Sequence, residues 1–366
     1  ADRAGEYALS LGAPDEAADA FARALALAPT APRALARGQA LTVAGAWKEA
    51  EEALHEALAL AQRADDRGTS ARACQLLARR AVPLGRPDEI IRWAKRSLDF
   101  LDPERDHELH AGAHFLLGTG AMQQPGGLDL AEQELAEANR LAVKHGLTSV
   151  AAHARFEGGN LLAQRGALRA AIERYLEAAA LARQGDDSFI ETLAYNNAAY
   201  HSMLMGELPQ AHDYIRRAFE LAEGQAFVGP RQYLYSTRGE IALAEEAWDE
   251  AALWFDRAWG EAERNGNQRQ LATAGANRAL VARGRGDLPA ARDQLLDARA
   301  RMATVQDPHL AIQLELWLAE VAQALGDAPL ARAALDRAGA LLADGGRRAL
   351  ALRWQALSAG NAEGKE

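Results

Sequence analysis

A triplet of small, large and small side chains at positions i, i+4 and i+7 recurs through this chain at a nearly fixed step, and few folds tolerate such a pattern. The copies are Ala17/Phe21/Ala24, Ala50/Leu54/Ala57, Ile90/Ala94/Ser97, Ala131/Leu135/Ala138, Ala171/Tyr175/Ala178, Ala211/Ile215/Ala218, Ala251/Phe255/Ala258, Ala291/Leu295/Ala298 and Ala331/Leu335/Ala338. Their first members are 33, 40, 41, 40, 40, 40, 40 and 40 residues apart. The spacing within a triplet stacks its members on one face of a helix, and a face of small residues calls for a close neighbour. Self-similarity at a step of this size marks an array in which each unit buries its apolar face only against the next.

Five residues before most triplets stands a glycine: Gly12, Gly45, Gly85, Gly166, Gly206, Gly286 and Gly326. The fourth copy has Gly126-Gly127 in a turn one residue longer, and the seventh has Glu246. A glycine there ends one helix in a left-handed conformation, and the Pro or Asp that follows opens the next. The unit is therefore two helices around a turn. Trp47 and Trp248, each two residues after the turn position, are expected to plug the helix junction.

This helix-turn-helix unit, with its Ala-x3-aromatic-x2-Ala run in the second helix, resembles the tetratricopeptide repeat. A step of 40 exceeds the family's minimal length of about 34, as in kinesin-light-chain-type repeats and in the sensor regions of MalT-like and LuxR-type bacterial regulators. The resemblance implies an all-α fold, a right-handed superhelical solenoid of about nine repeats over residues 1–345. A capping helix from residue 347 to 358 would lie in the terminal segment 346–366. The whole array is expected to behave as one continuous domain, since a solenoid grows by stacking.

In this family the first helices line a concave groove. Projected by repeat phase, Phe115, His153, Phe156, Asn160, Asn196, Asn197, Tyr200, Met203, Tyr233 and Glu240 become the candidate ligand-binding residues. Asn197 lies nine residues before Gly206 and Asn160 six before Gly166. Asparagines at those phases hold a ligand backbone in peptide-binding relatives, which implies the same role for Asn160 and Asn197. Phe156, Tyr233 and Thr237 stand where co-chaperone versions carry the basic residues of a carboxylate clamp, which argues against that clamp here.

Composition narrows the remaining classes. The net charge of −10 disfavours a nucleic-acid backbone as direct partner. No apolar run approaches the roughly 20 residues of a membrane span, and no signal peptide is evident. Cys74 is the only cysteine, so neither a disulfide framework nor a thiolate metal site is expected, and a reducing, cytoplasmic setting follows. His107, His110 and His114 share a helical face and are the one arrangement that invites a metal, but no carboxylate stands at a matching step. No nucleophile, acid/base or phosphate-loop motif occurs.

The expectation is thus a non-enzymatic module without cofactor or metal, binding a protein or peptide in the groove, with a small-molecule inducer as the other candidate ligand. It would form the sensor or interaction region of a larger bacterial signalling or transcription regulator, from which a chain opening at Ala1 inside a repeat helix would be an excised piece. The alternative is a free-standing peptide-binding scaffold or co-chaperone adaptor. Trp93, Tyr214 and Trp254 share one phase of the second helices, and exposed together they would form a self-association or inter-domain contact. Arg183, on the outward side, is expected to tolerate an acid where Ala171 and Ala211 do not.

Overall fold

The computed structural model describes residues 2–82, 84–223, 231–264, 266–305, 307–342 and 348–363. Among them it forms nineteen α-helices, one short 3-10 turn and no strand, the all-α class expected. The chain divides into two compact units, residues 1–157 and 158–366, where the periodicity alone suggests one continuous array.

In the first unit the hairpins are α1 (Asp2–Ser10) with α2 (Pro14–Leu27), α3 (Ala31–Ala44) with α4 (Trp47–Arg63), α5 (Arg67–Ala81) with α6 (Pro87–Asp99), and α7 (His107–Met122) with α8 (Leu128–His145). Helix α9 (Thr148–Gln164) carries the boundary between the units. The second unit continues with α10 (Leu168–Gln184), α11 (Ser188–Leu204) and α12 (Leu208–Glu223), α13 (Arg231–Ala244) and α14 (Trp248–Arg264), α15 (Gln268–Gly284) and α16 (Leu288–Arg301), α17 (Pro308–Ala324) and α18 (Ala328–Leu342), and α19 (Arg348–Glu363). Besides their hairpin partners, successive first helices touch: α3 packs on α5 and α5 on α7 in the first unit, and α11, α13, α15 and α17 line up likewise in the second.

The nine triplets are the core. None of their 27 members is more than 5% exposed. The middle member fits a notch of glycine or alanine in the facing first helix. A Cβ built on Gly5, Gly38, Gly159 or Gly239 would lie 2.5–2.7 Å from Phe21, Leu54, Tyr175 or Phe255 respectively, each 16 residues later. Where the large member is Ile215, Leu295 or Leu335, the corresponding notch residue is Ala199, Ala279 or Ala319, all fully buried. The three aromatic knobs, Phe21, Tyr175 and Phe255, all face glycine, whereas the aliphatic ones face glycine or alanine, which leaves the interior close-packed.

Turn chemistry follows the register. The eight turn glycines, from Gly12 to Gly326, hold φ between 62° and 81°, and Glu246 adopts φ 58° in the same place. Asp65 and Asp186 take the left-handed conformation between hairpins. Asp66, Asp187, Asn267, Asp287, Asp307 and Asp327 then cap the next helix by accepting from the backbone N–H three residues on. The cap helix is α19: Trp354 Nε1 donates to Leu335 O at 2.9 Å and Gln323 Nε2 to Leu357 O at 3.1 Å. Residues 346–347 and 364–366 of the expected terminal segment lie outside the described residues.

Two local expectations need correction. Trp248 does fill its junction, its ring occupying the space of a side chain at Gly284, but Trp47 is 46% exposed and contributes its carbonyl, which accepts from Arg80 Nε. Arg183 is not a neutral outer position. Its guanidinium donates to the buried carboxylate of Glu191 at 2.6 Å and to Tyr195 Oη at 3.0 Å.

Candidate functional site

The expected ligand residues fall in both units. In the first, Phe115 and Phe156 are buried and His153 is half-buried. The Phe115 and His153 rings meet edge to face at 5.7 Å, with the Arg79 guanidinium 6.0 Å from the Phe115 centroid. These two phenyl rings thus belong largely to the packing.

The second unit brings the asparagines together. Asn197 on α11 donates its Nδ2 to Asn160 Oδ1 on α9 at 3.0 Å, and Asn196 Nδ2 donates to Asn197 Oδ1 at 3.2 Å. Asn160 Oδ1 also accepts from Tyr175 Oη at 2.7 Å. Tyr175 is the buried knob of its hairpin, so its hydroxyl passes through the Gly159 notch and ties the core to the inner helices. His201 Nδ1 lies 2.7 Å from Asn197 O; a carbonyl only accepts, so that nitrogen carries the proton. Burial holds the His201 imidazole below its ordinary pKa, the backbone bond opposing it.

A second rung repeats the first two hairpins later. Asn277 on α15 donates Nδ2 to Glu240 Oε1 on α13 at 3.1 Å, and the pair is 37 residues apart, as Asn197 and Asn160 are. Asn277 lies 80 residues after Asn197, and Glu240 lies 80 after Asn160. Neither Asn277 nor Tyr175 stands among the sequence-derived candidates. The 80-residue offset is the signal that finds the first; the second shows only in three dimensions.

Tyr200, in the phase between Asn160 and Glu240, is half-buried, as are Met203, Tyr233 and Glu240 itself. Burial raises the Tyr200 hydroxyl well above its usual range, with Glu240 adding to the effect. Burial likewise pushes the Glu240 carboxyl up to about 7, against the lowering effect of the Asn277 hydrogen bond.

The other candidates resolve into packing. His107 stacks on His145 at 3.6 Å, His110 meets His114 edge to face at 4.9 Å, and His114 Nδ1 bonds Glu134 at 2.6 Å. Among the described residues no group of three or more ligand-type side chains is placed to hold a metal. Trp93 is buried, Tyr214 stacks on Tyr195 at 6.3 Å, and Trp254 packs with Phe219 and Tyr235 at 5.5 and 5.7 Å. Among the described residues no helix is long and apolar enough to cross a membrane.

Neither a family model nor a curated protein sequence matches this chain. Solved structures do. A Rap protein complexed with competence and sporulation factor superposes with a TM-score of 0.65 at 16% identity, over 96% of this chain and 95% of that one. The fold is that of the tetratricopeptide-repeat proteins. Two further tetratricopeptide-repeat arrays agree. The Rap conjugation gene regulator of plasmid pLS20, in complex with the Phr* peptide, gives 0.59 at 15% identity over 77% and 76% of the two chains. A signal transduction ATPase with numerous domains and a tetratricopeptide-repeat sensor, from Pyrococcus horikoshii, gives 0.57 at 14% identity over 93% of this chain and 54% of that one.

Proposed function

We propose that this tetratricopeptide-repeat chain is a binding module for an extended peptide, acting as the sensor or interaction region of a larger regulator. The observation that carries the reading is the repeated amide rung on the first helices, Asn197 to Asn160 and Asn277 to Glu240. Amides offer both a donor and an acceptor to a peptide backbone. Their mutual hydrogen bonds, and the Tyr175 hydroxyl behind Asn160, hold them in one rotamer, so little side-chain entropy is lost on binding. Tyr200 and Tyr233 beside them supply half-buried rings that exclude water and strengthen those bonds. Bound factors in the two Rap structures and the sensor role of the Pyrococcus array support the same use of this fold.

The test is equilibrium binding of a randomised pool of short peptides to the full chain. Asn160→Ala alone would strand the Tyr175 hydroxyl, so the informative variants are Asn197→Ala and the pair Asn160→Ala with Tyr175→Phe. Each should keep its far-ultraviolet circular dichroism and bind about 1–3 kcal/mol more weakly. Unchanged affinity per folded molecule in both would mean that the rungs only tie hairpins together.

A further inference from the structure

Among the described residues no cation bonds Glu240. Two hairpins later Glu320, in the same repeat phase, is bonded by both Arg283 and Arg353 at 2.6 Å, whereas Glu240 has only the Asn277 amide. Cations near it in the fold are engaged elsewhere. Arg238, on the same helix, holds His212 of α12 and Glu250 of α14. From α15, Arg278 pairs with Asp256 and Arg283 with Glu320. From α11 the titratable neighbour is Tyr200, kept neutral by burial.

The same stripe of helix contains polar atoms that find no partner. Gln232, Ser236 and Glu240 lie at i, i+4 and i+8 on α13, and Gln232 Oε1 and Ser236 Oγ are buried and unbonded. On α11, Asn196 Oδ1, in the repeat phase of Ser236, is buried and unbonded as well. Each of the three side chains is more than nine-tenths buried. Two of these atoms are amide carbonyl oxygens that can only accept, and the hydroxyl can do so. Buried acceptors left unmatched cost about 1–3 kcal/mol each, so a stripe of them beside an unpaired carboxyl is matched by a ligand rich in N–H donors.

We infer that the Gln232–Ser236–Glu240 stripe, flanked by Asn196 and Asn277, is a subsite for a cationic group of the bound peptide, a guanidinium or an ammonium. The inference rests on the peptide reading above. A guanidinium has five N–H donors and no acceptor, the complement of this stripe, and its charge would neutralise Glu240 as Arg283 and Arg353 neutralise Glu320. Because the empty site holds its carboxyl up to about 7, occupation by a cation must drive off the proton that Glu240 retains, which leaves to solvent. The ionised fraction of a group titrating near 7 falls from about 0.9 at pH 8 to about 0.1 at pH 6, so affinity for the cation should fall about tenfold over that interval.

The experiment uses the full chain and pools of acetylated, amidated short peptides whose random positions are uncharged. One position at a time is fixed as arginine or as its neutral isostere citrulline. At pH 8, one arginine pool should be retained at least tenfold better than its citrulline partner, and the ratio should shrink about tenfold at pH 6. Glu240→Gln, which keeps the acceptor for Asn277, should bind both pools alike. Asn277→Ala removes a bond that favours the ionised form and should move the pH midpoint upward. Equal retention of arginine and citrulline pools by the wild-type chain, or a preference that survives Glu240→Gln, overturns the subsite while leaving the peptide reading intact. If no pool is retained at all, both fall together.

Discussion

Gly158 and Gly159 stand side by side in α9, and replacing each by alanine should move stability in opposite directions. Both positions are inside one helix, so alanine gains the same intrinsic propensity, about 0.8–1 kcal/mol. At Gly158 the new methyl would meet nothing nearer than Arg174 Cγ at 3.7 Å, an ordinary contact, and the propensity gain should survive. At Gly159 it would lie 2.5 Å from Tyr175 Cε1 and 2.7 Å from Cδ1. To regain a normal carbon separation the ring must retreat by about 1 Å, yet Tyr175 is fully buried and bonded to Asn160. Overpacking of this kind costs about 1–3 kcal/mol, and losing the Tyr175–Asn160 bond adds about 1 kcal/mol. After the propensity gain is subtracted, Gly159→Ala should destabilise by about 1–3 kcal/mol, a difference of about 2–4 kcal/mol between neighbours. Urea unfolding gives the values, with hydrogen exchange in the α9–α10 hairpin as the local readout, because repeat arrays need not unfold in one step. Adding Tyr175→Leu to Gly159→Ala recreates the pairing of Leu295 with Ala279 and should recover more than 1 kcal/mol in a double-mutant cycle. The same sign for both single variants, or strict additivity in the cycle, would refute the knob-and-notch account.

Other perturbations follow from the same structure. Ala211→Asp places a charge at a fully buried packing position and should cost several kcal/mol; Arg183→Asp, expected from its sequence position to be silent, should also destabilise, because it sets a carboxylate against the buried Glu191. Melting curves in which Arg183→Asp overlays the wild type would show that this ion pair is immaterial. Glu246 holds left-handed backbone at φ 58° without being glycine, so Glu246→Gly should stabilise by about 1 kcal/mol; a lower urea midpoint for that variant would mean that the turn is not strained.

The triplets, the turn positions and the cap helix were legible because they depend on periodicity alone: one side chain in eight tens of residues can drift, but a packing face that slips by one position loses its core. Even Glu246 could be assigned its turn from its place in the register. The inner-face asparagines could be placed for the same reason. Their partners could not, since whether Asn197 points at a ligand or at Asn160 is settled by rotamers and by the distance between helices 37 residues apart. Tyr175 shows the limit most clearly. Its pattern marks it as a core ring, yet its hydroxyl serves the opposite side of the helix pair through a gap that only the absent side chain of Gly159 opens. The boundary inside α9 was invisible because the step across it, from Ala131 to Ala171, is an unremarkable 40.

Knob and notch lie in the same hairpin, 16 residues apart, whereas the rungs join successive hairpins, 37 residues apart. A hairpin grafted whole, or duplicated, therefore carries its own fit with it and leaves the array able to fold. The same graft severs a rung at each seam. Swapping hairpins is thus a way to rewrite what such a chain recognises while leaving its architecture untouched, and the natural cassette is the 40-residue unit cut between Asn160 and Asn197.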